Sequence, residues 1–508
     1  MTLSRTALLL TLLIPLATSS PSSAEGVEAV SPETPVPEPR SFVSDHEGVF
    51  GGETVAYRTI AGETLLSGED GSPTASLFST TYLRRDVSDP ATRPVTFVFN
   101  GGPGSASVWL HMGVFGPRRA QVASGADEDD GAAPYPLVDN PHCLIDVTDL
   151  VFIDPVGTGF SRVVGTGEGE DYWSLDGDAA SIAQFIRLWI TEHQRWNAPK
   201  YIAGESFGTT RAAAVTRELT GDGQNVALNG LILISQALDY TGSTPVHDNL
   251  VSYITYLPTM AATARYHGRA GEGRTLEEFV QAARDFATDV YAPALLKGNT
   301  LGDADRAAVV DGLVEFTGLD AAYIERSDLR VLLPRFAKEL LRDEGRAVGR
   351  LDGRYTVDEI DDSAERPAGD AASSSISSAY TASLNHYFQT ELEIEMDRPY
   401  KTSNREIGRN WTWKPEGAGG GWEPSYVNTA RRLSEALRRN VDLHVLVANG
   451  YYDMITPFFD AEYTFARHGM LKDRIEMTYY EAGHMMYVHE PSLDKLVADV
   501  RRFLAARD

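Results

Sequence analysis

The chain has a single cysteine, Cys143. An intramolecular disulfide is therefore excluded, and the fold must be held by its core alone. Cysteine and histidine at metal-site spacings are also missing, because the eleven histidines are scattered. Neither a metal nor another cofactor is expected. Basic residues are scarce, with 45 against 72 acidic ones and a formal net charge of −27. Nucleic acid is thus an unsuited partner, since phosphate contacts need basic clusters. The acidic run at 127–130 lacks the spaced oxygen ligands of a calcium loop and reads as an exposed loop. Beyond the N-terminus no apolar run approaches transmembrane length. Cys143, set in Pro141-His142-Cys143-Leu144 before a strand, reads as a buried inert thiol rather than a nucleophile.

The organisation follows from what remains. Arg5 precedes an apolar stretch from Ala7 to Ala17, and small residues continue to Ala24. Residues 1–24 read as a secretory signal peptide, which implies export to a periplasm or the extracellular space. Residues 25–45, rich in proline, serine and glutamate, read as a flexible lead. From 46 to 239 the pattern is a hairpin (55–66 and 75–83), then strands at 95–99, 150–153, 200–203 and 231–234. Helical periodicity at 179–196 and 209–219 separates the later strands. Such alternation predicts a mostly parallel sheet covered on both faces. Residues 240–422 differ: helices at 275–290 and 334–342, a serine-rich low-complexity stretch at 368–379, and a glycine-rich junction at 417–421. The rhythm resumes over 423–508 with a helix at 424–440, strands at 443–448 and 475–480, and a helix at 492–505. One α/β domain is thus interrupted by a largely helical insertion, placed as a cap over the carboxyl edge of the sheet.

The most informative motif is Gly204-Glu205-Ser206-Phe207-Gly208, between the strand at 200–203 and the helix at 209–219. Glycine two before and two after a serine, at a strand-to-helix junction, matches the nucleophile elbow of the α/β-hydrolase fold. Taken alone, the same residues could form an ordinary loop with a capping serine. Serine needs a base, and the base needs an orienting carboxylate. In this fold they come in the order serine, acid, histidine, each after a later strand. Asp453 follows the strand at 443–448, and His484 follows the strand at 475–480 in Ala482-Gly483-His484-Met485. His489 is a rival base, placed too near the next helix, and Asp460 a rival acid inside a helical run. Oxyanion donors are expected from the amide of Phe207 and from Gly102 in Asn100-Gly101-Gly102-Pro103-Gly104. That loop lacks the lysine and hydroxyl residue of a phosphate cradle.

These motifs, with Asp154-Pro155-Val156-Gly157-Thr158-Gly159-Phe160-Ser161, resemble the serine carboxypeptidase family in order and spacing from about 90 to 490. The cap contributes nothing to the likeness. The resemblance implies removal of C-terminal amino acids from peptides through a serine acyl-enzyme, with Ser206, Asp453 and His484 as the catalytic residues. It also implies that Asn100 and Glu205 hold the substrate's terminal carboxylate, and that the partners are peptides with a free C-terminus. Two carboxyls sit together comfortably only when they share a proton, so Glu205 is expected to be protonated in that role. The chain departs from eukaryotic members: Ser105 replaces a disulfide cysteine, and the helix after the glycine loop lacks a second glutamate. No glutamine stands between Asp154 and Pro155, and Met486-Tyr487 replaces a proline after the histidine motif. A bacterial-type member is therefore expected. An acyltransferase or esterase on the same scaffold is the alternative. A non-catalytic binding protein is the alternative from another class.

Overall fold

In the computed structural model, residues 35–128, 131–221, 223–413 and 426–506 are described. The expected signal peptide, residues 25–34 of the lead and the junction at 417–421 lie outside them. The central sheet has ten strands. Its spatial order is Ser41–Phe50, Glu53–Ser67, Pro73–Arg84, Asp149–Asp154, Val95–Phe99, Lys200–Glu205, Gly230–Ile234, His444–Gly450 and Ile475–Tyr480. The short strand Arg162–Val163 pairs with Pro73–Arg84. The first three pairings are antiparallel and the remaining five parallel. This is the mostly parallel sheet of an α/β-hydrolase fold.

Burial explains the strand pattern. The parallel strands at 95–99, 149–154, 200–205 and 230–234 are buried at every residue, as strands covered on both faces must be. One face packs on helices Leu175–Glu192, Phe207–Thr220, Ala430–Arg439 and Phe458–Arg467, through residues such as Phe97, Ile186, Val215 and Leu433. The other packs on the C-terminal helix Glu490–Ala505 and on Ala371–Thr390, a long helix of the insertion. Among the described residues no helix is long and apolar enough to cross a membrane.

Three local expectations need correction. The lead does not extend to 45, because the edge strand begins at Ser41. Its side chains alternate only between exposed and half-buried until Phe50, so its apolar signal is weak. The stretch at 368–379 enters the helix Ala371–Thr390, where Ser374, Ser375 and Ser377 bond back to carbonyls four residues earlier. Ala372, Ile376, Ala379 and Tyr380 supply its buried face. The helix expected at 424–440 spans Ala430–Arg439, and residues 414–425 lie outside those described.

The insertion contains a helical group with its own core. Leu250–Tyr266, Leu276–Phe286, Asp303–Thr317 and Leu333–Glu339 bury Tyr256, Phe279, Leu313 and Phe336 together with Met454. A later strap crosses the glycine loop: the Asn404 amide donates to the Gly104 carbonyl at 2.8 Å.

Candidate active site

Four loops leave the carboxyl ends of the parallel strands and converge. Asn100 follows Val95–Phe99, Ser206 follows Lys200–Glu205, Asp453 follows His444–Gly450, and His484 follows Ile475–Tyr480. Ligands in open parallel sheets bind at this edge because the helices that follow lead away from it. Ser206 has φ +60° and ψ −128°, a conformation that L residues rarely occupy and that functional sites often hold. The tight turn requires its glycines. A Cβ on Gly204 would lie 2.4 Å from the Gly208 carbonyl oxygen, and one on Gly208 about as near as 3.0 Å to that of Phe99.

His484 Nδ1 lies 2.8 Å from Asp453 Oδ2. Asp453 is fully buried and also accepts from the amides of Ile455 and Thr456 and from the Thr456 hydroxyl. These donors hold the carboxylate against the imidazole and leave Nε2 as the ring's other nitrogen. Burial pulls the His484 pKa down, but the charge and hydrogen bond of Asp453, with Glu205, outweigh it and raise the value. The backbone of His484 is held twice: its amide donates to the Leu351 carbonyl at 2.6 Å, and its carbonyl accepts from Ser235 Oγ at 2.7 Å.

The glycine loop and the start of the elbow helix also converge. A Cβ on Gly101 would lie 2.5 Å from the Phe207 nitrogen. Only a glycine there lets the loop rest against the start of the elbow helix. Gly102 has φ +108°, again a glycine conformation. Arg211, wholly buried, ties the two loops: Nε meets Asp178 Oδ2 at 2.6 Å, while Nη1 donates to the Asn100 carbonyl. The Phe207 ring packs edge-on against Trp411, with centroids 5.1 Å apart.

Glu205 is 3% exposed. Asn100 Nδ2 donates to its Oε2, and Tyr487 donates to both carboxylate oxygens at 3.0 Å. Asn100 is oriented in turn by the Leu110 amide, which donates to its Oδ1 at 3.1 Å. Burial pushes the Glu205 pKa up to about 7, against the opposing pull of His484 and of the Tyr487 and Asn100 donors. Tyr487 is absent from any sequence expectation of a role, although it stands three residues past His484.

Two cavities meet at Ser206. One, of about 390 Å³, is bordered by Asn100, Gly102, Glu205, Ser206, Trp109 and His484. The other, of about 200 Å³, is bordered by Ser206, Tyr240, Tyr256, Leu333, Trp413 and Met454. Gly102 and Arg350 border both. A larger surface cleft of about 740 Å³, lined in part by Glu69, Asp171 and Arg187, contains none of these residues. The rivals stand apart: His489 Nδ1 pairs with Ser492 Oγ, and Asp460 is buried within the helix Phe458–Arg467. Cys143 is buried, and burial raises its thiol pKa far above the ordinary value. Among the described residues no cluster could hold a metal ion.

Residues 69–267 match the family described as serine carboxypeptidase. That span contains Asn100, Gly102, Glu205, Ser206 and Phe207, and ends before Asp453 and His484. "Serine carboxypeptidase-like 16" of Arabidopsis thaliana is 28% identical over 166 residues, covering 31% of this chain and 37% of that protein. "Serine carboxypeptidase-like 3" of the same plant is 27% identical over 143 residues, covering 27% and 30%. The matches therefore span about a third of these relatives' length. The structure of Kex1(delta)p, a prohormone-processing carboxypeptidase from Saccharomyces cerevisiae, superposes with a TM-score of 0.54 at 15% identity, covering 88% of this chain and 91% of that one. Residues 69–267 are thus similar to the serine carboxypeptidase family, and the chain carries an α/β-hydrolase fold.

Proposed function

We propose that the protein is an exported serine carboxypeptidase, releasing C-terminal amino acids from peptides through an acyl-enzyme. The observation that carries this reading is Glu205. A buried carboxyl with a pKa near 7, bonded by Asn100 and Tyr487, borders the same cavity as Ser206 and His484. A protonated Glu205 can donate its hydrogen to a substrate carboxylate, and Asn100 orients it. A terminal carboxylate held there places the last residue of a peptide in the larger cavity and its scissile carbonyl at Ser206.

In this mechanism the Ser206 Oγ attacks that carbonyl carbon while His484 Nε2 takes the hydroxyl proton. The amides of Gly102 and Phe207 stabilise the oxyanion. His484 then gives its proton to the leaving amine as the C–N bond breaks, leaving an ester on Ser206. Water, deprotonated by His484, hydrolyses the ester and regenerates the serine. Asp453 keeps the ring oriented and stabilises its cationic form. Residues 1–24 would direct export and be removed.

The test combines labelling with product analysis. A fluorophosphonate should label Ser206 in the natural protein and not in Ser206→Ala, which should lose all turnover. Mass spectrometry of a peptide mixture should show stepwise loss of C-terminal residues. Ester cleavage or acyl transfer with no shortening of peptides would replace this reading with the acyltransferase or esterase one.

A further inference from the structure

We infer that Arg350 is a specificity-determining residue that selects an acidic side chain on the residue preceding the scissile bond. The inference rests on the carboxypeptidase reading. If Asn100 and Glu205 hold the terminal carboxylate, the larger cavity takes the leaving residue, and the side chain on the acyl side of Ser206 enters the smaller one. That smaller cavity is walled by Tyr240, Tyr256, Leu333, Pro334, Trp413 and Met454, and among the described residues Arg350 is the only charged side chain on its lining.

Arg350 is set up as a binding group rather than a structural one. Its residue is exposed, and its guanidinium makes no hydrogen bond or ion pair with any described residue. Its field is felt by the site: Arg350 lowers the pKa of Tyr256, on the wall of the smaller cavity, and that of His484. Arg350 also borders the larger cavity. Asp460 lies behind Ser243 on the same side, where burial and the charge of Asp239 raise its pKa well above the ordinary value.

The main chain that carries Arg350 is fixed to both active-site loops. The Arg350 amide donates to Asp370 Oδ2 at 2.9 Å, and its carbonyl accepts from the Met454 amide at 3.0 Å, next to Asp453. The following residue, Leu351, accepts from the His484 amide. Asp352 Oδ2 accepts from the Gly483 amide at 2.8 Å and pairs with Arg354 at 2.6 Å. A guanidinium free at its tip but anchored at its backbone is preorganised to meet a carboxylate with two parallel N–H donors. Glutamate at the acyl position would occupy the apolar walls with its methylenes and present its carboxylate to this fork.

The experiment compares kcat/KM for N-blocked dipeptides ending in leucine, with glutamate or glutamine before it. The natural protein is set beside Arg350→Gln and Arg350→Lys. We expect the glutamate-to-glutamine ratio to fall about tenfold or more in Arg350→Gln, with Arg350→Lys falling between the two. Fluorophosphonate labelling of Ser206 checks that each variant is folded. A second pair, with phenylalanine before a terminal glutamate or glutamine, separates the two cavities. An unchanged ratio in Arg350→Gln, or a fall confined to the second pair, overturns the assignment while leaving the carboxypeptidase reading intact. Failure of the natural protein to cleave any of these dipeptides overturns both.

Discussion

Replacing Glu205 by glutamine separates the chemistry of Glu205 from its fit. The amide keeps the shape, accepts from Asn100 or Tyr487, and cannot ionise. In the natural protein burial raises the Glu205 pKa from an ordinary 4.5 to about 7. At about 1.4 kcal/mol per pH unit, that gap corresponds to about 3 kcal/mol. The sign follows from linkage. A carboxyl with a raised folded pKa contributes stability that is fully present below pH 4.5 and lost as pH rises through 7. Chemical denaturation at pH 4 and pH 8 should therefore show the stability of Glu205→Gln, relative to the natural protein, rising by about 3 kcal/mol across that interval. Activity should move in the same window. For peptides, kcat/KM of the natural protein should fall as pH rises through about 7, because ionised Glu205 repels the terminal carboxylate. Esters without that carboxylate should be spared this fall. The variant should show no such alkaline fall. Matching peptide and ester profiles in the natural protein, together with a stability gap that does not change with pH, would refute the reasoning.

Two further outcomes test the scaffold. Gly101→Ala puts a methyl 2.5 Å from the Phe207 nitrogen, so the glycine loop must move; kcat/KM should drop on the order of a hundredfold, read by steady-state kinetics. Arg211→Leu leaves Asp178 buried and unpaired. Urea denaturation should show a loss of about 3–5 kcal/mol.

How much was legible can be seen residue by residue. Ser206, with glycines on either side, is a local constraint: the turn forbids side chains at 204 and 208, so five consecutive letters reveal it. The loops of Asp453 and His484 were legible because each follows a recognisable strand, largely apolar at 443–448 and alternating at 475–480. The edge strand Ser41–Phe50 was not, because a half-exposed strand needs few apolar residues. Nor was the helix Ala371–Thr390 evident, since serines with weak helix propensity occupy its outer face and packing on the sheet stabilises it. Tyr487 stood beside a motif, but its partner Glu205 is far off in sequence, and only the fold brings its hydroxyl to both carboxylate oxygens. Arg350 lies in a segment with no motif at all.

The sequence by itself determined the order of strands and turns, the elbow, and the identity of the residues that leave the sheet's carboxyl edge. These follow from short-range sterics and from apolar periodicity, which act over a few residues. The tertiary structure decided what surrounds them. Burial of Glu205, the fork of Arg350 between two cavities, and the clamp of residues 350–352 on the His484 and Asp453 loops all join segments distant in the chain. Desolvation and charge act through space, so the property that matters most here, a carboxyl poised near pH 7, exists only once the chain has folded around it.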